Sequence, residues 1–412
     1  DPTPGLAHGS RAEGDDKAAS RGLMRLLYVS ADPGIPILGH KGASVHVREL
    51  VTALTAEGAD VALASPRIAP EGDRLDAPVQ LVELEPLVAR QHPSASSLRA
   101  AMERQAGQLI RLAEQLRVDA IYERYSLHSC AAARVAEEFN LPYVLEVNAP
   151  LRDEARRFRS LPYPDVAAEV EERVYVMADR IFAVSAPLAT LLIEAGVDRA
   201  KVEVMRNAVT TAKFPAHRHR GRGFTVGFAG SLKPWHGVEV LADAIAMAAR
   251  KVVDLRLEVV GDGPLAGALD RIDLPPRRFR RYGARPHVET LRILASWDIG
   301  VAPYVAACPT FYFSPLKVAE YMAAGACPVA SDLGDVRPLL ADGERGVLVP
   351  PGDASALATA LTELAQDRTR VASLGARARR HAHGSLSWRR NARRVLDCLQ
   401  SAPARRLIYA HA

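Results

Sequence analysis

The stretch Phe311–Asp332 reads FYFSPLKVAEYMAAGACPVASD, a helix followed at once by a strand. Ser314 is a good N-cap, and Pro315 in the first turn loses no needed hydrogen bond, so a helix starts here. Gly325 ends it, and the apolar run Cys327 to Ala330 re-enters a sheet. The amides of Leu316 and Lys317 then stand free at the positive end of the helix, which suits a phosphate or diphosphate. Glu320 follows on the same helix, within reach of a ribose diol. An ordinary amphipathic helix start with a surface Glu320 fits the same residues.

Outward from this unit, strands alternate with helices in both directions. After it comes the strand 346–349, and before it come apolar runs at 225–229, 255–260, 280–282 and 299–302, with helices between them. An earlier series reads as strands at 23–30, 61–64, 119–122, 143–147, 180–184 and 202–205. Alternation of this kind implies parallel sheets with right-handed crossovers, and ligands bind outside the carboxyl ends of such strands. The polar run 211–223, rich in Arg, His and Gly, is the expected linker. The fold class is therefore α/β, with two Rossmann-like doubly wound domains facing across a cleft. Residues 1–22 read as a disordered leader, 23–211 as the first domain, 212–385 as the second, and 386–412 as a C-terminal helix packing back on the first.

Composition excludes several classes. A chain of 412 residues with 48% apolar and 25% charged residues is neither disordered nor fibrous. No run of about 20 apolar residues crosses a bilayer and no secretory leader opens the chain, so the expected compartment is the cytoplasm. The four cysteines are scattered, without metal-ligand spacing. A net charge of +5 does not mark a nucleic-acid binder. It is uneven, however: nine Arg against Asp397 lie between Arg377 and Arg406, and Arg277 to Arg285 is a second basic run. The tail suits peripheral contact with anionic lipid at the inner membrane face, and equally packing against the first domain.

Other loops could carry chemistry. In GFAGSLKPWHG (Gly227 to Gly237), Gly230, Ser231, Lys233 and His236 allow close backbone approach and cation contact to phosphate. Gly261 lies in a strand-to-helix turn. Gly42 opens the helix carrying His46, a second anion or polyol site on the other wall, or a tight turn capped by Ser44. Glu146 and Asn148, at a strand end, suit acceptor hydroxyls or strand-end capping.

In this order and spacing, KGASVHVREL, IYERYSLHS, EVNAPL, RNAV, GFAGSLKPWHG, VVGDGP and SPLKVAEYMAAG resemble the GT-B glycosyltransferases of family 4, from Met24 to Leu399. The resemblance implies a retaining, metal-independent transfer of a hexosyl group from a nucleoside diphosphate sugar, UDP above all, to a hydroxylated acceptor, with no cofactor. It makes Glu320 the ribose ligand and the helix start 314–317 the diphosphate cradle. Gly230, Ser231, His236 and Gly261 join the donor site, and Arg285 neighbours the base. Gly42 and His46 line the cleft near acceptor and sugar. Arg124 and His128 are the best counterparts of a His near the reaction centre, and Lys233 joins them as catalytic. Two departures stand out. Tyr312 replaces the usual sugar-contacting Glu, and Ser231 and His236 replace an Arg and a Lys, leaving Lys233 and Lys317 to supply the charge. No Asp-x-Asp occurs, in keeping with metal independence. A non-transferring pseudo-glycosyltransferase or nucleotide-sugar binder and a sugar-nucleotide epimerase are the alternatives.

Overall fold

The computed structural model describes residues 23–39, 41–69, 74–215, 223–306 and 310–402. The leader 1–22, most of the expected linker (216–222), Cys308 and the last ten residues, with Arg405 and Arg406, lie outside the described residues.

Two parallel sheets form the frame. The first has seven strands, β1 (Met24–Ser30), β2 (Ala59–Ser65), β3 (Gln80–Glu83), β4 (Ala120–Arg124), β5 (Tyr143–Val147), β6 (Arg180–Ala183) and β7 (Val202–Val204). Their spatial order is β3-β2-β1-β4-β5-β6-β7. The second has six, β8 (Phe224–Ala229), β9 (Leu255–Val260), β10 (Phe279–Gly283), β11 (Ile299–Ala302), β12 (Cys327–Ser331) and β13 (Val347–Val349), ordered β10-β9-β8-β11-β12-β13. In each, the order reverses beside the first strand, which puts a ligand crevice at the ends of β1 and β8. The central strands are buried on both faces and read as continuous apolar runs, which is why periodicity finds them. Edge strand β3 escapes that reading because QLVE is short and no residue of it is fully buried.

The helix Trp388–Ser401 lies against the first sheet's layer. Trp388, Ala392, Val395, Leu396 and Leu399 share one core cluster with Leu26, Tyr28, Leu50 and Tyr122. Its arginines meet carboxylates of the first half: Arg389 and Arg393 both grip Glu57, and Arg394 pairs with Glu203. These three tail arginines, part of the charge that suited a lipid surface, are thus engaged in the fold. No described helix is long and apolar enough to cross a membrane.

Candidate active site

The two halves meet through polar contacts at the strand ends. Asp335 accepts from the Ala186 amide and from Arg206 Nε at 2.7 Å. The Ser185 hydroxyl donates to the Tyr312 carbonyl at 2.6 Å, and the Tyr312 hydroxyl donates to Glu154 at 2.6 Å. Between the halves, Glu49, Thr210, His287, Glu320 and Trp388 line a narrow cavity.

On the second half's wall, the helix Leu316–Ala324 starts beside the end of β8. The Lys317 side chain, 9% exposed, turns inward and its Nζ has no hydrogen-bond partner among the described residues. It lies 4.3 Å from the Phe228 ring centre and 5.3 Å from that of Tyr304. Gly230, with φ of 140°, takes a conformation that other residues rarely adopt, and a Cβ there would come within 2.9 Å of the Lys317 Nζ. Burial pushes the Lys317 ammonium down to about 7, against the pull of Glu320. Burial, and next the Lys317 charge, pushes His236 down to about 3, and its Nδ1 meets the Ser231 carbonyl. The wall thus carries one buried cation beside a neutral imidazole.

One turn along, Glu320 accepts from His287 Nε2 at 2.8 Å. Burial disfavours the imidazolium, but Glu320 outweighs it and raises the His287 pKa. His287 opens the helix His287–Leu294, and the sequence reading misses it. A His just after Pro286 at the end of a strand-to-helix loop was the available signal, and Phe228 and Tyr304 had none beyond apolarity.

The glycine loops are zipped together. Leu232 donates to the Asp262 carbonyl at 3.0 Å, and a Cβ on Gly261 would strike the Gly230 carbonyl at 2.0 Å. Gly261 therefore supports the loop by close packing. Ser231 and Lys233 are exposed, the Lys233 ammonium 4.9 Å from the Trp235 ring centre. Arg285 is exposed and faces Glu289 at 3.6 Å.

Several readings need correction. Ser314 does not cap its own helix: Pro315 occupies that position, and the Ser314 hydroxyl accepts from the Asn207 amide of the first half. The Leu316 amide turns back to the Ser314 carbonyl at 2.8 Å, so it is not offered to a ligand. Tyr312 is 5% exposed within the first half's core and holds the two halves together rather than lining a sugar pocket.

On the first half's wall, Glu146 is fully buried and is the hub of a network rather than an exposed acceptor ligand. It meets His46 Nε2 at 2.9 Å, Tyr122 Oη at 2.5 Å, Arg124 Nη1 at 3.1 Å and Asn148 Nδ2 at 2.5 Å. Parallel register sets this up, because Tyr122 and Arg124 share a face of β4 and Arg124 stands opposite Glu146. Burial raises the Glu146 pKa, yet His46 and Arg124 outweigh it and hold the carboxyl at about 2. His46 and Arg124 are thereby committed to Glu146, and Trp388 packs edge-on against the His46 ring at 4.7 Å. His128 is buried with φ of 69°, and its Nε2 meets the Pro162 carbonyl at 3.1 Å. That contact fastens its loop to the segment just before the helix Pro164–Met177. Gly42 remains open, since a Cβ there would meet no described residue within 4 Å, while Ser44 Oγ and His46 Nδ1 behind it are buried without hydrogen-bond partners among the described residues.

The chain is similar to known proteins along most of its length. Residues 41–208 match the family model described as Glycosyl transferase 4-like domain, and residues 223–367 match Glycosyl transferases group 1. The D-inositol 3-phosphate glycosyltransferase of Paenarthrobacter aurescens is 27% identical over 305 residues, 69% of this chain and 73% of that protein. A glycogen synthase of Mycobacterium tuberculosis is 25% identical over 393 residues, 89% of this chain and 92% of that protein. Among solved structures, a sucrose-phosphate synthase from Thermosynechococcus elongatus superposes with a TM-score of 0.69 at 18% identity, covering 92% of this chain and 98% of that one. Anabaena Alr3699/HepE in complex with UDP and glucose gives 0.68 at 18% identity, covering 92% and 100%. The chain belongs to the GT-B glycosyltransferases of family 4 and is a glycosyltransferase enzyme.

Proposed function

We propose that the chain moves a hexosyl group from a nucleoside diphosphate sugar, with uridine the nucleoside, to a hydroxyl of its acceptor, with retention at the anomeric carbon and without a metal or cofactor. The observation that carries this reading is the Lys317 ammonium, buried at the end of β8 without a hydrogen-bond partner among the described residues. Burying an uncompensated charge costs several kcal/mol, about what an incoming diphosphate repays. Glu320, one turn further along the helix, suits the ribose, and His287 holds its carboxylate until the ribose hydroxyls arrive.

In the transfer, the bond between the anomeric carbon and the phosphate oxygen breaks and its electron pair leaves with the diphosphate. Lys317 stabilises that charge where it develops. The acceptor oxygen bonds to the anomeric carbon on the same face, and its proton passes to the departing phosphate oxygen. No carboxylate nucleophile is used, in keeping with Glu146 being buried and bonded to four neighbours. UDP complexes of the Anabaena protein support uridine, and relatives named for inositol phosphate support a polyol acceptor.

The test is acceptor-dependent release of nucleoside diphosphate in the presence of EDTA, with UDP-glucose as donor, polyols as acceptors and the product anomer read by NMR. UDP release stimulated by acceptor, and lost in Glu320→Ala, is the expected result. Binding of UDP-glucose without any transfer would favour the non-transferring reading.

A further inference from the structure

The junction of the two halves holds a second cavity, of about 280 Å³, that shares no lining residue with the one beside Glu320. Its polar lining comes from Arg206 after β7, Arg345 before β13, His381 in the helix Arg368–Ser385, and Arg390, Asn391 and Arg394 in the helix Trp388–Ser401. Among the described residues, no carboxylate lines it.

The sequence RRNARR (Arg389 to Arg394) explains how one helix serves two tasks. Arg389 and Arg393 stand four residues apart and both take Glu57, while Arg390 and Arg394, also four apart, line the cavity. Two of the four cavity guanidinium groups already have a carboxylate, Arg206 at Asp335 and Arg394 at Glu203. The other two do not. Among the described residues, the Arg345 guanidinium reaches the Leu339 carbonyl at 3.4 Å and has no carboxylate, and Arg390 makes no ion pair. The surroundings are positive enough that Arg345, after burial, pushes the His381 imidazolium down.

We propose that this cavity binds a phosphate group, either as the free ion or as the monoester of a small polyol. Guanidinium forks match phosphate oxygens in pairs, and an anion here compensates the two unpaired charges. The volume lies just below the usual range of about 300–1,000 Å³ for ligand pockets, which fits a small phosphate and not a nucleotide sugar. Because the lining comes from the first half, the second half and the helix that returns between them, the bound anion bridges the halves. By linkage it favours the arrangement in which they meet, and so acts on the catalytic cleft without entering it.

Calorimetric titration of the full chain in phosphate-free buffer tests this, with inorganic phosphate and glucose 6-phosphate as probes. Saturable binding of one equivalent is expected, retained in Lys317→Met and weakened about tenfold or more in Arg390→Glu and in Arg345→Ala. Arg390 is exposed, so its variant keeps the fold, and a melting curve checks this. Equal affinity for the two probes assigns the site to free phosphate, and tighter ester binding assigns it to a monoester. The proposal is overturned if neither probe saturates. It is also overturned if binding vanishes in Lys317→Met but survives in Arg390→Glu, which would put the anion in the donor cradle.

Discussion

Replacing Lys317 by methionine should move stability and ligand affinity in opposite directions. The ammonium sits at about 7 in the fold against 10.5 when exposed, so its burial destabilises the fold fully below about pH 7, and the penalty fades as pH rises to 10.5. The gap corresponds to a penalty on the order of 4–5 kcal/mol. The Phe228 and Tyr304 rings return up to about 2 kcal/mol of it. Methionine fills similar space and packs well against both rings, so the ligand-free variant should gain about 2–3 kcal/mol near neutral pH. A diphosphate oxygen about 4 Å from the ammonium gains ~4 kcal/mol at an effective dielectric of 20. After the cost of reprotonating a group poised near 7, the variant should bind UDP about 2–4 kcal/mol more weakly, roughly 30- to 1,000-fold, with uridine affinity unchanged. Because diphosphate binding raises the Lys317 pKa, UDP affinity should fall as pH rises above about 7, and calorimetry in buffers of different ionisation enthalpy should show proton uptake. Urea melts of the ligand-free protein and titrations with UDP and uridine measure both halves of the claim. A destabilised variant, or one that binds UDP like the parent, would refute the reasoning.

Four further outcomes follow from the same geometry. Glu320→Ala should cost on the order of 1.5–3 kcal/mol in nucleotide binding through lost charge-assisted bonds to the ribose, read by the same titrations, and unchanged affinity would remove Glu320 from the site. Trp388→Ala should destabilise by about 3–5 kcal/mol in denaturant melts, because the indole is buried against His46 and the first half's core. Glu146, held at about 2 against an ordinary 4.5, contributes stability of about 3 kcal/mol that is present above pH 4.5 and lost as pH falls towards 2. Glu146→Gln should therefore flatten the acid limb of stability measured by urea melts from pH 5 to 2. Tyr312→Phe removes the hydroxyl bonded to Glu154 and should loosen the contact between halves by about 1 kcal/mol, seen as a larger radius of gyration in solution scattering.

The frame was legible because its signals are local. Each central strand announces itself as a buried apolar run, and Gly325, with φ of 73°, ends the helix Leu316–Ala324 where the sequence puts the stop. What was not legible depends on partners far away in the chain. Nothing near Ser314 says that its hydroxyl serves Asn207, 107 residues earlier, or that the Tyr312 hydroxyl finds Glu154 across 158 residues. Polar residues at strand ends look alike in sequence whether they face a ligand or one another, and only the register of β4 against β5 brings Arg124 to Glu146. His287 was missed for the same reason, since its meaning lies in Glu320, 33 residues on.

The difference between Glu146 and Lys317 explains how the two walls divide the work. Both are charged, and both are buried at strand ends beside the cleft. Glu146 has four hydrogen-bonding neighbours, and removing any one leaves a buried charge short of a partner, so the group is fixed and fixes the strands around it. Lys317 has two aromatic faces and, among the described residues, no hydrogen-bond acceptor. On the proposed reading this contrast sends the anionic donor to Lys317 on the second wall. On the same reading the acceptor then meets the first wall at the open face of Gly42, where an added Cβ would touch no described residue within 4 Å, rather than at the buried carboxylate of Glu146.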